Sequence, residues 1–419
     1  MKSKRMNRRE WLQDSAALAF ATGGGLISAV SLVGCKSSRR SAAPALNWTP
    51  LLSPVPAGSI APRVTSLPGD TAVLTWLEPH EDRTSTLAFC VWRGASWSTP
   101  GTIASGQTFS RDQAAAPGII GLSTKTWIAY WSQRASSEQD SGNEIALYMA
   151  VSTDSGASWT SPILVSRAAA QPGEDNAYAS GVALNDAQAR LIWLDGSNWQ
   201  TQKRVQLMSR IVAVDGQLSE PRVLDDDTCT CCSTSIVETS QGLLAAYRGH
   251  TPQDIRDISV VRTVAGGWSR PSVPNPDHWR IQACPVNGPH LAARGARVAV
   301  VWFSAPQDQA AVQLAFSQNS GADFGAAVRL ASGQVVGRAQ AVLLEDASAV
   351  AFWLQNEAGA ARLLVRRVTG DGSMGALQEL ARGANFGFPH VARTKTGIVV
   401  TWAERNPTSQ VHTGILRTA

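Results

Sequence analysis

The sequence is sparing with charge, tyrosine and cysteine. Only 16% of its 419 residues are charged, against 44% hydrophobic. That balance excludes a charge-extended chain and points to a globular protein with a sizeable core. Its formal net charge is +5, but five basic and two acidic residues lie in the first 34 positions, leaving +2 for the rest. So small a surplus excludes a basic nucleic-acid surface. Long apolar runs are also scarce. The longest, Ala16 to Val33, is rich in Gly and Ala and weakly hydrophobic for a membrane span. Of the six cysteines, four fall between Cys229 and Cys284, so sulfur chemistry is confined to one window.

What the sequence does hold begins with an export signature. Lys2, Lys4, Arg5, Arg8 and Arg9 precede the apolar stretch, and Asn7-Arg8-Arg9-Glu10-Trp11-Leu12 resembles a twin-arginine signal. Leu32-Val33-Gly34-Cys35 resembles a lipobox, which would make Cys35 the lipidated first residue of the mature chain; the alternative is an ordinary transmembrane anchor. The expected organisation is a signal peptide over residues 1–34, a Ser/Ala/Arg/Pro-rich tether over 35–45 and one domain over 46–419. The expected location is the bacterial envelope, periplasm-facing and on the outer membrane. Beyond the membrane the surroundings are oxidising, so paired cysteines are plausible there.

From Leu46 onward one pattern recurs seven times, at about 53 residues per unit. Each unit contains a strongly apolar strand ending in an aromatic, then an alternating strand, then a polar strand often marked Trp-x-x-Pro. The apolar strands are Ala72–Leu77, Thr126–Trp131, Ala189–Leu194, Gly242–Tyr247, Arg297–Phe303, Ser348–Leu354 and Gly397–Ala403. Short apolar runs bounded by Gly, Asp and Asn argue strands, not helices. Ser96-Trp97-Ser98-Thr99-Pro100, Ser158-Trp159-Thr160-Ser161-Pro162 and Gly267-Trp268-Ser269-Arg270-Pro271 occupy one slot, and Leu218–Leu224, Asp323–Leu330 and Gly375–Ala381 should fill it elsewhere. The last unit lacks that strand, while Asn47-Trp48-Thr49-Pro50 carries its signature at the other end of the domain. The expectation is an all-β, closed β-propeller of seven four-stranded blades, its N-terminal strand completing the last blade.

Ser152-Thr153-Asp154-Ser155-Gly156-Ala157-Ser158-Trp159 resembles the Asp-box of sialidase-like propellers, and Ser317-Gln318-Asn319-Ser320-Gly321-Ala322-Asp323-Phe324 resembles a degraded copy. The likeness implies a fold and no activity, because these boxes lie away from the sialidase active face. Sialidases themselves have six blades, and a six-bladed sialidase-type propeller is the alternative to the seven-bladed expectation. The run Cys-x-Cys-Cys, Tyr-Arg-x-His, Arg256-Asp257, Cys-Pro-x-x-Gly-Pro is similar to exported bacterial sialidase-like propellers. In sialidases three arginines hold the substrate carboxylate, a tyrosine polarised by a glutamate is the nucleophile and an aspartate is the acid/base. Arg248 best matches one of those arginines; Arg63 matches more weakly, and Arg338 by position alone. The remainder is missing: Gly387-Phe388-Pro389-His390 lacks the phenol, and Cys231-Cys232 stands where the glutamate belongs. Standard sialidase catalysis is therefore not expected.

In a propeller, the segments leading into the first strands and the loops after the second strands meet at one mouth. The first kind bring Arg63, Asp112, Asp175, Cys229, Cys231, Cys232, Cys284, Asn287 and His390 there; the second bring Tyr247, Arg248, His250, Arg256 and Asp257, with His278 nearby. Cys232 and Cys284 are 52 residues apart, about one blade, so Cys284 should lie near the Cys229–Cys232 run. Three readings stay open for this cluster: disulfides stapling blades four and five, a thiolate site for Cu or Zn aided by His250 or His278, or a redox-active pair. Cys90 reads as a core thiol, Asp225-Asp226-Asp227 as a solvated turn. The expected function is ligand or metal binding at a Cys- and Arg-lined mouth of a monomer, with an acidic sugar or other small acidic ligand. The alternatives are a divergent exo-sialidase and an envelope scaffold.

Overall fold

A computed structural model describes residues 46–134, 145–167 and 175–418. The export and lipidation signals, Cys35 included, lie outside the described residues. Seven four-stranded antiparallel sheets form the blades of a β-propeller. Their first strands run Ile60–Leu67, Gly118–Gly121, Asn176–Asn185, Ser235–Thr239, His290–Arg294, Val335–Leu343 and His390–Thr394. The seventh sheet takes its outer strand, Leu46–Leu51, from the start of the domain, with Trp48 opposite Leu416 on the strand Ser409–Thr418. The expected closure is thus what holds the ring shut, and it covers a strand edge that would otherwise be open.

Seven hydrophobic clusters knit the blades, one for each pair of neighbours. Leu191, Trp193 and Tyr130 join blades two and three, for example. Val64, Leu74, Val399 and Ile415 join blades one and seven. The aromatic near the end of the second strand recurs among the largest fully buried side chains: Trp76, Trp131, Trp193, Trp302, Trp353 and, in blade four, Tyr247. A buried indole needs an acceptor. Glu78, Gln133, Asn176 and Asp277 accept from Trp76, Trp131, Trp193 and Trp302 at 2.6–3.0 Å.

In blades one to three the fourth strand lies downstream of its sequence signature, whereas in blade four Gly267–Trp268 lies on it. Pro removes a ladder donor, so the segments around Trp97 and Leu218 make single bridges and full pairing starts later, at Gly101–Gln107 and Arg222–Thr228. The slots expected at 323–330 and 375–381 are filled by Val328–Ser332 and Gln378–Gly383. Asp225, Asp226 and Asp227 are accordingly strand residues, not a turn. The turn containing Asp154 closes as its residues suggest: Asp154 accepts from the Ser158 amide at 2.9 Å and from the Ser152 and Ser158 hydroxyls. Gly156 sits at φ 87° where a Cβ would overlap Phe89 and Trp127, the rings on which Trp159 packs.

Candidate functional site

Several first strands enter their sheets through a bulge. Register shifts fall between Ile60 and Arg63, Ala177 and Ser180, and Gly337 and Gln340. Ala61, Tyr178 and Arg338 sit in these bulges at φ 51°, 59° and 51°, and Val286, just before blade five, at φ 49°. L-residues rarely adopt this conformation, and a β-branched valine least of all. Such strain, persisting in several blades at one rim, marks a place where side chains are aimed at the expense of local comfort.

Two of these residues, Val286 and Arg338, line a rim cavity of about 720 Å³ together with Arg111, Asp112, Phe388 and Arg405. The Arg338 guanidinium lies over the Phe388 ring at 4.4 Å and donates from Nη1 to the Phe386 carbonyl at 2.8 Å. Its backbone N–H donates to Asn287 Oδ1 at 2.6 Å, so Asn287 fixes the bulge that aims it. Asp112 accepts from the Ala114 amide through Oδ1 and from the Tyr178 hydroxyl through Oδ2, at 2.9 and 2.8 Å. Burial and the Asp112 charge raise the Tyr178 phenol, which stays a proton donor at neutral pH.

Arg248 behaves differently. It is 1% exposed and donates to the carbonyls of Asn287, Arg256 and Phe303 at 2.7–2.9 Å while stacking on Trp279. Its donors serve the packing between blades four and five, not the rim. Arg63 donates to the Ala116 and Ala179 carbonyls in the channel wall. Two histidines, His290 and His390, are held neutral there: burial first, and the Arg63 charge second, lower both, His290 to about 4. Tyr247 is buried and donates to Asp225 instead of facing the mouth. Asp175 accepts from the Ile145 amide at 3.1 Å. Asp257 caps the amides of His278 and Trp279, each at 2.9 Å, while the His278 side chain is exposed.

Cys284, two residues before the cavity-lining Val286, belongs to the sulfur cluster. Cys231 and Cys284 form a disulfide with Cα atoms 6.2 Å apart. Cys229 and Cys232, three residues apart, are thiols 3.6 Å from one another, 0% and 1% exposed. The sulfurs of Cys229, Cys231 and Cys232 lie within 4.8 Å of one another, a set that could bind a metal ion. Cys231, however, is already bonded to Cys284, and Arg256 Nη1 stands 3.2 Å from Cys229 Sγ. A guanidinium in that position suits a thiolate and opposes a cation. Nor do the histidines join in: His250 Nδ1 meets Asp227 at 2.8 Å and its Nε2 meets Asp254 at 3.4 Å. Of the expected set, then, Arg338 and Asp112 line the rim cavity, Asn287 fixes Arg338, and the four cysteines cluster with one another. To these the structure adds Arg111 and Arg405 in the cavity lining and Tyr178 bonded to Asp112, none of which the sequence pattern singles out.

No family model matches the chain, and no curated protein matches it either. Among solved structures, it is similar to a protein of unknown function from Dyadobacter fermentans DSM 18053, with 14% identity and a TM-score of 0.50, covering 87% of this chain and 95% of that one. It is also similar to an ulvan lyase of a polysaccharide lyase family, bound to -[GlcA(1-4)Rha3S]-, with 11% identity and a TM-score of 0.54, covering 88% and 98%. A leech intramolecular trans-sialidase aligns at 10% identity and a TM-score of 0.45, over 86% and 68%. At these identities the likeness speaks for the propeller fold alone.

Proposed function

We propose that the rim cavity binds a small acidic ligand, an acidic saccharide being the class its chemistry suits. The observation that carries this is Arg338. A bulge at positive φ holds it against the Phe388 ring, and one of its nitrogens donates to Phe386, which leaves the rest of the fork to a carboxylate. Arg111 and Arg405 line the same cavity, and its carboxylate, Asp112, is already engaged by Tyr178 and Ala114. A neighbour of the same fold, the ulvan lyase, is bound to a saccharide at TM-score 0.54, which is compatible with this use of the rim. Calorimetry with N-acetylneuraminic acid and with glucuronic acid tests it. Binding of at least one is expected, weakened tenfold or more in Arg338→Ala at unchanged stability; equal affinity in the variant, or no binding of either, overturns it. Turnover of a fluorogenic sialoside that is lost in Tyr178→Phe would move the reading to a divergent glycosidase.

The protein acts, on the same proposal, as a monomer exported by the twin-arginine route and lipid-anchored in the envelope through Cys35, facing the periplasm. The support is the order of basic head, Gly/Ala-rich stretch and Leu-Val-Gly-Cys. Incorporation of labelled palmitate into the full chain, abolished in Cys35→Ser, is the expected result; undiminished label in the variant would refute the anchor.

A further inference from the structure

The sulfur cluster sets a reduced pair against an oxidised one. Cys229 and Cys232 point inward and are sealed, whereas Cys284 is exposed and Cys231 partly so. Cys229 Sγ and Cys231 Sγ, one from each pair, lie within 4.8 Å. We propose that these four cysteines form a thiol–disulfide exchange site that passes an electron pair from the buried Cys229/Cys232 dithiol, through Cys231 and Cys284, to a disulfide-bearing substrate at the surface.

Three observations converge on this. A cysteine that merely packs needs no cationic partner. Cys90, buried among apolar side chains, has none, and burial raises its thiol. Cys229 instead receives Arg256 Nη1, itself oriented by donation from Nε to the Ile281 carbonyl at 2.9 Å. The hydrogen bond from Cys232 and the Arg256 and Arg248 charges hold Cys229 well below the usual thiol range, while burial and the Cys229 charge push Cys232 up. That is the division of labour between an attacking thiolate and a second thiol that reacts later. Finally, Gly288 permits a close approach: a Cβ there would stand 1.9 Å from the Ser233 carbonyl oxygen, so the Cys284-Pro285 segment can press against the Cys229–Cys232 turn.

The exchange balances without any further oxidant. Cys229 thiolate attacks Cys231 Sγ; the Cys229–Cys231 bond forms, the Cys231–Cys284 bond breaks, and the electron pair leaves on Cys284. Cys232 then gives up its proton and attacks Cys229 Sγ, expelling Cys231 as thiolate. The product is a Cys229–Cys232 disulfide with Cys231 and Cys284 reduced, the proton of Cys232 passing to one of them. A substrate disulfide is next attacked by Cys284, releasing its first sulfur as a thiolate. Cys231 displaces the second sulfur and restores the Cys231–Cys284 bond. The dithiol is oxidised and the substrate disulfide reduced, two electrons on each side.

Native trapping tests the relay. The full chain, purified without reductant, is incubated with N-ethylmaleimide under native conditions, digested with trypsin and mapped by mass spectrometry. Cleavage at Arg222, Arg248, Arg280 and Arg294 puts Cys229, Cys231 and Cys232 on one peptide and Cys284 on another, so an intact Cys231–Cys284 bond links the two. Exchange exposes Cys284 and Cys231, and alkylation there draws the reaction forward. The expected result is separation of the peptides over time, with label on Cys231 and Cys284 and a disulfide between Cys229 and Cys232. In Cys232→Ser the relay should stop halfway, with label on Cys284 and a Cys229–Cys231 bond. In Cys229→Ser the peptides should stay linked. Persistent linkage in the unsubstituted chain, whether with label on Cys229 or Cys232 or with none, overturns the proposal, and that outcome needs no variant to fold.

Discussion

Two arginines show why residue type and position did not suffice. Arg248 and Arg338 were both candidates for a carboxylate, yet Arg248 spends its fork on three carbonyls between blades and Arg338 spends one nitrogen on Phe386. The difference lies in which way each side chain leaves its strand, which Tyr-Arg-Gly-His cannot announce. Arg248→Met should therefore destabilise the fold, because it removes four hydrogen bonds to three carbonyls, two of them to Asn287; about 3 kcal/mol is expected from urea unfolding. A loss of ligand affinity at unchanged stability would return Arg248 to the rim. The cysteine pairing was equally hidden. Four cysteines admit three pairings, and the choice is made by the turn, which buries Cys229 and Cys232 and leaves Cys231 facing Cys284.

Strands were far easier to read than side-chain direction, because each apolar run ending in an aromatic is itself the consequence of burial on both faces. All seven second strands fall where that pattern puts them, whereas the fourth strands of blades one to three begin only beyond the prolines of their own signature. The closing strand was legible for the same reason as the others: Trp48 repeats a motif whose slot was vacant in the last blade. Its indole occupies space that only Gly414 leaves open, a Cβ there lying 2.1 Å from the ring, and it packs near Trp402 with centroids 6.2 Å apart. Trp48→Ala should cost about 2 kcal/mol, less than a fully buried tryptophan because this one is only partly buried. The effect belongs to the closure and not to blade seven alone, so hydrogen exchange should rise in the strands Ser409–Thr418 and Leu46–Leu51 together. Protection unchanged in the variant would mean the ring does not depend on that seal.

At the scale of the whole ring, the central channel gathers residues that no local pattern connects. Arg63 comes from blade one, His290 from blade five and His390 from blade seven, and only closure makes them neighbours. Two histidines beside one arginine cannot readily accept further positive charge, and burial adds to the penalty. Their folded-state pKa values are depressed below the usual 6.5, His290 to about 4. The unfolded chain consequently binds more protons in that interval, and stability must rise with pH across it. The contribution is complete above about pH 6.5 and is lost as pH falls towards 4; for His290 alone it is on the order of 3 kcal/mol. Asp154, held at about 2 by the Ser158 hydroxyl and amide, acts only at more acidic pH, so the two effects separate along the axis. Urea midpoints should hold level from pH 7.5 to about 6.5 and then fall towards pH 4, and the double substitution His290→Gln with His390→Gln should flatten that slope. A slope that survives both substitutions would place the acid sensitivity outside the channel.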